Sequence, residues 1–130
     1  MTRFAGRHAD IIGFDPMSLP GGGKNQREFG GVAFEVKLRI LDDASAERAD
    51  GGPERSILLF DVARRIEDLP EDSWVEPQQA SNSPYALFGD TSAMVDTLLE
   101  RRDRWGLTYN VFADRDFDLF RPVMAVLAGA

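Results

Sequence analysis

Apolar residues in this chain come in short clusters divided by polar, glycine-rich or proline-rich stretches, and the spacing within each cluster points to an element. Arg3 to Ala9 suits the last turns of a helix, and Ala9 to Phe14 then reads as a short, buried strand of the parallel type. That strand ends at Asp15-Pro16, where proline cannot continue the ladder. Phe34, Val36, Leu38 and Ile40 alternate as in a strand, whereas Phe34, Leu38 and Leu41 share one face of a helix, so periodicity leaves both elements open. Asp42 to Glu54, containing Gly51-Gly52-Pro53, is a turn or a helix end. Arg55 to Arg64, carrying the apolar-rich run Ile57 to Ala63, has the length and bulk of a strand, and Glu67 to Pro84 reads as a long connection with one short helical turn.

The best-marked helix follows. Asp90 or Thr91 serves as its N-cap, Met94, Val95, Leu98 and Leu99 recur at helical spacing, and Gly106 stops it after Arg101, Arg102 and Arg104. Leu107 to Phe112 is a strand by composition, and Phe117 to Phe120 leads into a short terminal helix from Pro122 to Leu127 with proline in its first turn. This alternation is that of βαβ units, so the expected class is α/β with parallel strands. Three strands make a narrow sheet with exposed edges, which predicts association with a second copy or a partner chain.

Composition narrows the chemistry. The chain has 130 residues, enough for one domain, with 43% apolar and 28% charged residues, as in ordinary globular proteins. A formal net charge of −7 and the lack of a basic stripe argue against nucleic acid as a partner. Arg101, Arg102 and Arg104 read as a solvated helix face. There are no cysteines, which excludes disulfides and thiolate catalysis. Neither a membrane-spanning run nor a basic-then-apolar leader is visible, so no membrane association and a cytoplasmic location are expected.

No catalytic constellation can be read from spacing. His8 beside Asp10 is a lone histidine, whereas a metal site needs three or four ligands, so no metal is expected. Gly21-Gly22-Gly23-Lys24 lacks the register of a phosphate loop, and the stretch from about residue 18 to 27 reads as a flexible linker, with the order of Gly21 to Arg27 open. Phe88-Gly89-Asp90-Thr91-Ser92 could hold an anion at a helix start, but the same residues make a good cap. Trp74, Tyr85, Trp105 and Tyr109 are scattered singly, as packing residues are.

Two segments carry a family resemblance. Phe4-Ala5-Gly6-Arg7-His8-Ala9-Asp10-Ile11-Ile12-Gly13 resembles a stretch of luciferase-like monooxygenases, particularly the group that uses coenzyme F-420. Ser83-Pro84-Tyr85 through Asp90-Thr91 to Arg101-Arg102-Asp103-Arg104-Trp105-Gly106-Leu107-Thr108-Tyr109 resembles a second stretch of that group, and Phe120-Arg121-Pro122-Val123 to Leu127-Ala128-Gly129 resembles its close. The resemblance implies a partial TIM-type (β/α) barrel of about three C-terminal units. Ile11 to Phe14, Ile57 to Val62 and Thr108 to Phe112 would be barrel strands six to eight. It implies a flavin- or F-420-dependent oxidoreductase of the monooxygenase type acting on a small-molecule substrate, with FMN or F-420 as cofactor.

The family's phosphate-binding glycine turn would precede Met1-Thr2-Arg3-Phe4 and has no counterpart. The resemblance therefore carries cofactor-binding roles only to Gly13, Phe14 and Asp15, at the end of the first strand, and to no catalytic residue. Such a barrel part would need a homodimer or a partner chain supplying the missing strands. The alternative is a non-catalytic half-barrel acting as a structural or assembly subunit.

Overall fold

The computed structural model describes residues 1–129. Helix α1 (Thr2–His8) leads into β1 (Ile11–Phe14), and α2 (Gly31–Ser45) returns the chain to β2 (Glu54–Leu59). A separate pair follows, β3 (Asp61–Ala63) and β4 (Ala86–Phe88), with the short α3 (Pro77–Ala80) between them. Helix α4 (Thr91–Trp105), β5 (Leu107–Phe112) and α5 (Phe117–Ala128) complete the fold. The result is a small α/β domain with alternating helices and parallel strands in two separate sheets, ordered β1-β2-β5 and β3-β4, and it is not a closed barrel.

Packing decides the ambiguous segment in favour of a helix. Phe34, Leu38 and Leu41 of α2 are buried against Phe14, Ile57 and Leu107, while Val36, which a strand would place with Phe34 and Leu38, is exposed. A second cluster joins Leu59, Val62 and Leu87 to Met94, Val95 and Leu98 of α4 and to Phe120 and Val123 of α5. Helix α4 is bounded as its sequence dictates. The Asp90 side chain accepts from the Ala93 amide at 2.8 Å, and Gly106 closes the helix in the left-handed region with φ +70°.

Three expectations need correction. The single strand expected over Arg55 to Arg64 starts at Glu54 but breaks at Phe60, because the Phe60 and Asp61 amides both turn to the Tyr85 carbonyl and carry the chain into the second sheet. The terminal helix begins at Phe117 and not at Pro122, and its first turn carries Phe120, which is buried and stacks on Phe112 with ring centroids 4.3 Å apart. Arg101 does not belong to a solvated face. It is buried and donates to the carbonyls of Pro84 (3.1 Å), Ser83 (3.0 Å) and Ala86 (2.7 Å), tying α4 to the segment before β4. Burial lowers its pKa to about 10.

The three-stranded sheet has one covered face. Phe14, Ile57 and Leu59 point into the helix layer, and the alternate positions Ile11, Gly13, Ser56, Leu58, Tyr109 and Val111 lie on the opposite face. The register places Gly13 beside Ser56, Ser56 beside Tyr109 and Leu58 beside Val111. Ile11 and Tyr109 are more than half exposed. No helix among the described residues is long and apolar enough to cross a membrane.

Candidate functional site

The C-terminal edge of the sheet gathers the polar side chains. After β1, the Asp15 carboxylate pairs with Lys24 Nζ at 2.6 Å, and Lys24 also donates to Ser18 Oγ at 3.0 Å. Lys37 reaches across from α2 to donate to the Asp15 carbonyl at 3.3 Å and to pair with Glu28 at 3.2 Å, while Glu28 accepts the Met17 amide. These contacts shape residues 18–27, which composition alone reads as flexible. Ser18 and Lys24 form an antiparallel bridge, Gly22 donates to the Leu19 carbonyl at 3.0 Å, and Gly22 and Gly23 take the positive φ values that such a tight reversal needs.

A second group sits where β2 and β5 end. Asp61 is 2% exposed and accepts the amides of Trp74 (3.3 Å) and Val75 (2.7 Å), which fixes the loop between β3 and α3. After β5, Arg115 donates to the Phe60 carbonyl at 3.0 Å, binding the end of one strand to the loop after the other. Asp61, Val62, Leu69, Pro70, Arg115 and Asp116 line a cleft of about 190 Å³. Asp116 Oδ2 is buried there without a hydrogen-bond partner, and Arg115 Nε is 4.0 Å away. Burial raises the Asp116 carboxyl pKa above the ordinary value, Arg115 opposes the shift, and the Asp61 charge adds to it.

The three residues singled out by resemblance are divided among three environments. Gly13 is exposed on the uncovered face, and nothing lies within 4 Å of where a Cβ would stand. Phe14 is 4% exposed in the core, edge-on to Phe34 at 5.0 Å. Asp15 is on the polar edge with Lys24. His8 is exposed at the end of α1 with its ring 4.8 Å from that of Phe4, and among the described residues no group of three or more metal-ligating side chains converges. The Gly89-Asp90 turn acts as a helix cap.

Asp61, Arg115 and Asp116 are absent from the residues that sequence reasoning selected. One signal was available: Asp61 interrupts the apolar run Ile57 to Ala63, and a carboxylate within a buried strand needs dedicated donors. Asp116 carried no such mark, because the cleft it lines is completed by Asp61, Val62, Leu69 and Pro70, far away in sequence.

A larger cleft of about 410 Å³ lies among the helices, lined by residues that include Glu35, Arg101, Arg104 and Trp105. Its charges are already engaged, with Arg104 paired to Glu35 at 2.7 Å and the Trp105 indole donating to Glu35 at 3.2 Å. No family model matches the chain, and neither a curated protein nor a solved structure matches it.

Proposed function

We propose that the chain is part of the wall of a luciferase-like (β/α) barrel and serves oxidoreductase chemistry that uses FMN or coenzyme F-420 on a small-molecule substrate. The observation that carries this reading is the order β1-β2-β5, three parallel neighbours in chain order with their helices on one face and the other face bare. A barrel wall has that construction: helices outside, and side chains inside that meet those of other strands. The sequence resemblance of the first strand and of the α4–β5 segment supports the same reading.

The residues present fit one end of such a cofactor. Gly13 leaves bare backbone against which a flat ring can lie, on the face that would be internal. The phosphate end finds only Lys24, held by Asp15, and Arg115, held by the Phe60 carbonyl, so its main partners belong to the strands that complete the barrel. When bound, the cofactor supplies hydride chemistry, and the protein's part is placement and proton handling. Arg115 and Asp61 fix the cleft at the C-terminal edge, and Asp116, protonated over a wider pH range than an ordinary carboxyl, is the group suited to deliver a proton to a substrate atom seated there.

The test is titration of the purified chain with FMN and with F-420, followed by absorbance. It is run on the chain alone and with any chain that co-purifies. A saturable spectral shift with either cofactor supports the reading, and no shift with both removes it. Phe14, committed to the core, favours a second reading in which the domain is a structural half-barrel subunit. In that case the assembly forms and neither cofactor raises its melting temperature.

A further inference from the structure

The uncovered face is a poor surface for a lone domain. Parallel sheets are found with both faces covered, and here Ile11 is 58%, Tyr109 57% and Val111 40% exposed around the half-buried Ser56 and Leu58. The centre of this face, defined by the Ser56–Tyr109 and Leu58–Val111 registers, holds no charged side chain, although the chain as a whole carries a net charge of −7. Its one acid, Glu54, lies at the N-terminal end of β2 and accepts from Thr108 Oγ1 at 3.1 Å. A neutral, apolar centre with polar groups at its margin is the composition of an interface core.

The total surface points the same way. The protein exposes 7953 Å², whereas a compact monomer of 14.5 kDa exposes roughly 6,900 Å². The surplus, roughly 1,000 Å² summed over the whole molecule, is large enough to accommodate the ~800 Å² that each partner contributes to a standard stable interface.

We propose that a second copy of this chain covers the face, the two sheets meeting Ile11, Leu58, Tyr109 and Val111 to the same residues across a two-fold axis. Such an interface is self-complementary, so a single patch suffices on both sides. The missing central charges matter here, because a two-fold axis sets each group near its own copy and any central charge would face a like charge. The pairing uses Ile11, Leu58, Tyr109 and Val111 and leaves out Gly13, against which the proposed cofactor ring lies, so a monomeric chain that binds FMN would overturn the pairing and leave the cofactor reading intact.

The chain itself provides the probe. It has two tyrosines, of which Tyr85 is fully buried and Tyr109 stands on the open face, so nitration by tetranitromethane reports on that face alone. Sedimentation across a range of chain concentrations is expected to show a monomer–dimer equilibrium, with Tyr109 nitration slowing several-fold as dimer forms. Val111→Lys and Tyr109→Lys, checked for folding by circular dichroism, are expected to weaken the dimer about tenfold or more by placing a charge in a desolvated centre. A monomer at every concentration overturns the proposal. So does a dimer in which Tyr109 nitrates as fast as in the monomer, or one that folded lysine variants leave unchanged. The nitration result uses the unaltered chain and decides the matter even if both variants unfold.

Discussion

The Arg101 guanidinium donates to the Ala86 carbonyl at 2.7 Å, and the same side chain also holds the carbonyls of Ser83 and Pro84. One buried cation thus satisfies three acceptors where the chain enters β4. Arg101→Ala is expected to lower stability by about 2–4 kcal/mol, because buried carbonyls would lose their donors. Arg101→Lys is expected to recover only part of this, as an ammonium cannot match the planar fork. Urea unfolding followed by Trp fluorescence measures both.

Asp61 performs the converse task, accepting two amides from the loop that follows β3. Asp61→Ala is expected to cost about 2–3 kcal/mol through the stranded Trp74 and Val75 amides. The same substitution removes a negative charge near Asp116, so the Asp116 carboxyl pKa is expected to fall back toward its ordinary value. A carbon-detected NMR titration of the side chain reads that shift directly.

The pH dependence of stability separates two carboxylates. The Asp116 pKa is raised in the folded state, so its contribution is present at low pH and is lost as pH rises through the raised value. Asp116→Asn is therefore expected to stabilise the fold at neutral pH, by about 1 kcal/mol for a buried oxygen without a partner, and to leave it unchanged well below pH 4. Asp50 behaves oppositely. The hydrogen bonds from Arg48 and the Gly52 amide lower its pKa to about 2, so its contribution is present above the ordinary carboxyl value and fades as pH falls toward 2. Melting curves of wild type and Asp50→Asn are expected to converge in acid and to separate at neutral pH.

Gly89, at the turn from β4 into α4, has φ +115°, and a Cβ there would stand 2.7 Å from that of Ala93. Gly89→Ala is expected to destabilise the domain by about 1–3 kcal/mol through backbone strain and this collision. Gly13→Ala, whose Cβ would meet nothing within 4 Å, is expected to change stability little. It should weaken any ring packed against that strand. Parallel melting curves and cofactor titrations distinguish the two effects.

Legibility in the sequence followed the reach of the forces concerned. Helix α4 was readable because its cap at Asp90, its apolar stripe from Met94 to Leu99 and its stop at Gly106 are all local. Strand β5 was readable because Leu107 to Phe112 has β-type composition over its whole length. The segment around Phe34 to Leu41 could not be decided locally, since only contact with Phe14, Ile57 and Leu107 selects the helical face. The break at Phe60 and the three-residue β4 depend on hydrogen bonds to Tyr85, across some 25 residues of chain, and left no periodic trace. For the same reason Asp15 could be placed at a strand end, while the cleft at Asp116 draws on Leu69 and Pro70, which only the tertiary fold brings near it.

The proposed binding of a redox cofactor at the C-terminal edge of the β1-β2-β5 sheet is open to direct test. The most direct measurement is an amide ¹⁵N–¹H NMR titration with FMN and with F-420, at chain concentrations where any assembly is formed. Saturable shifts are expected at Gly13, Asp15, Asp61, Arg115 and Asp116, along the C-terminal edge of the sheet. Shifts confined to the helix-lined cleft at Glu35 and Trp105, or no shift with either cofactor, would contradict it.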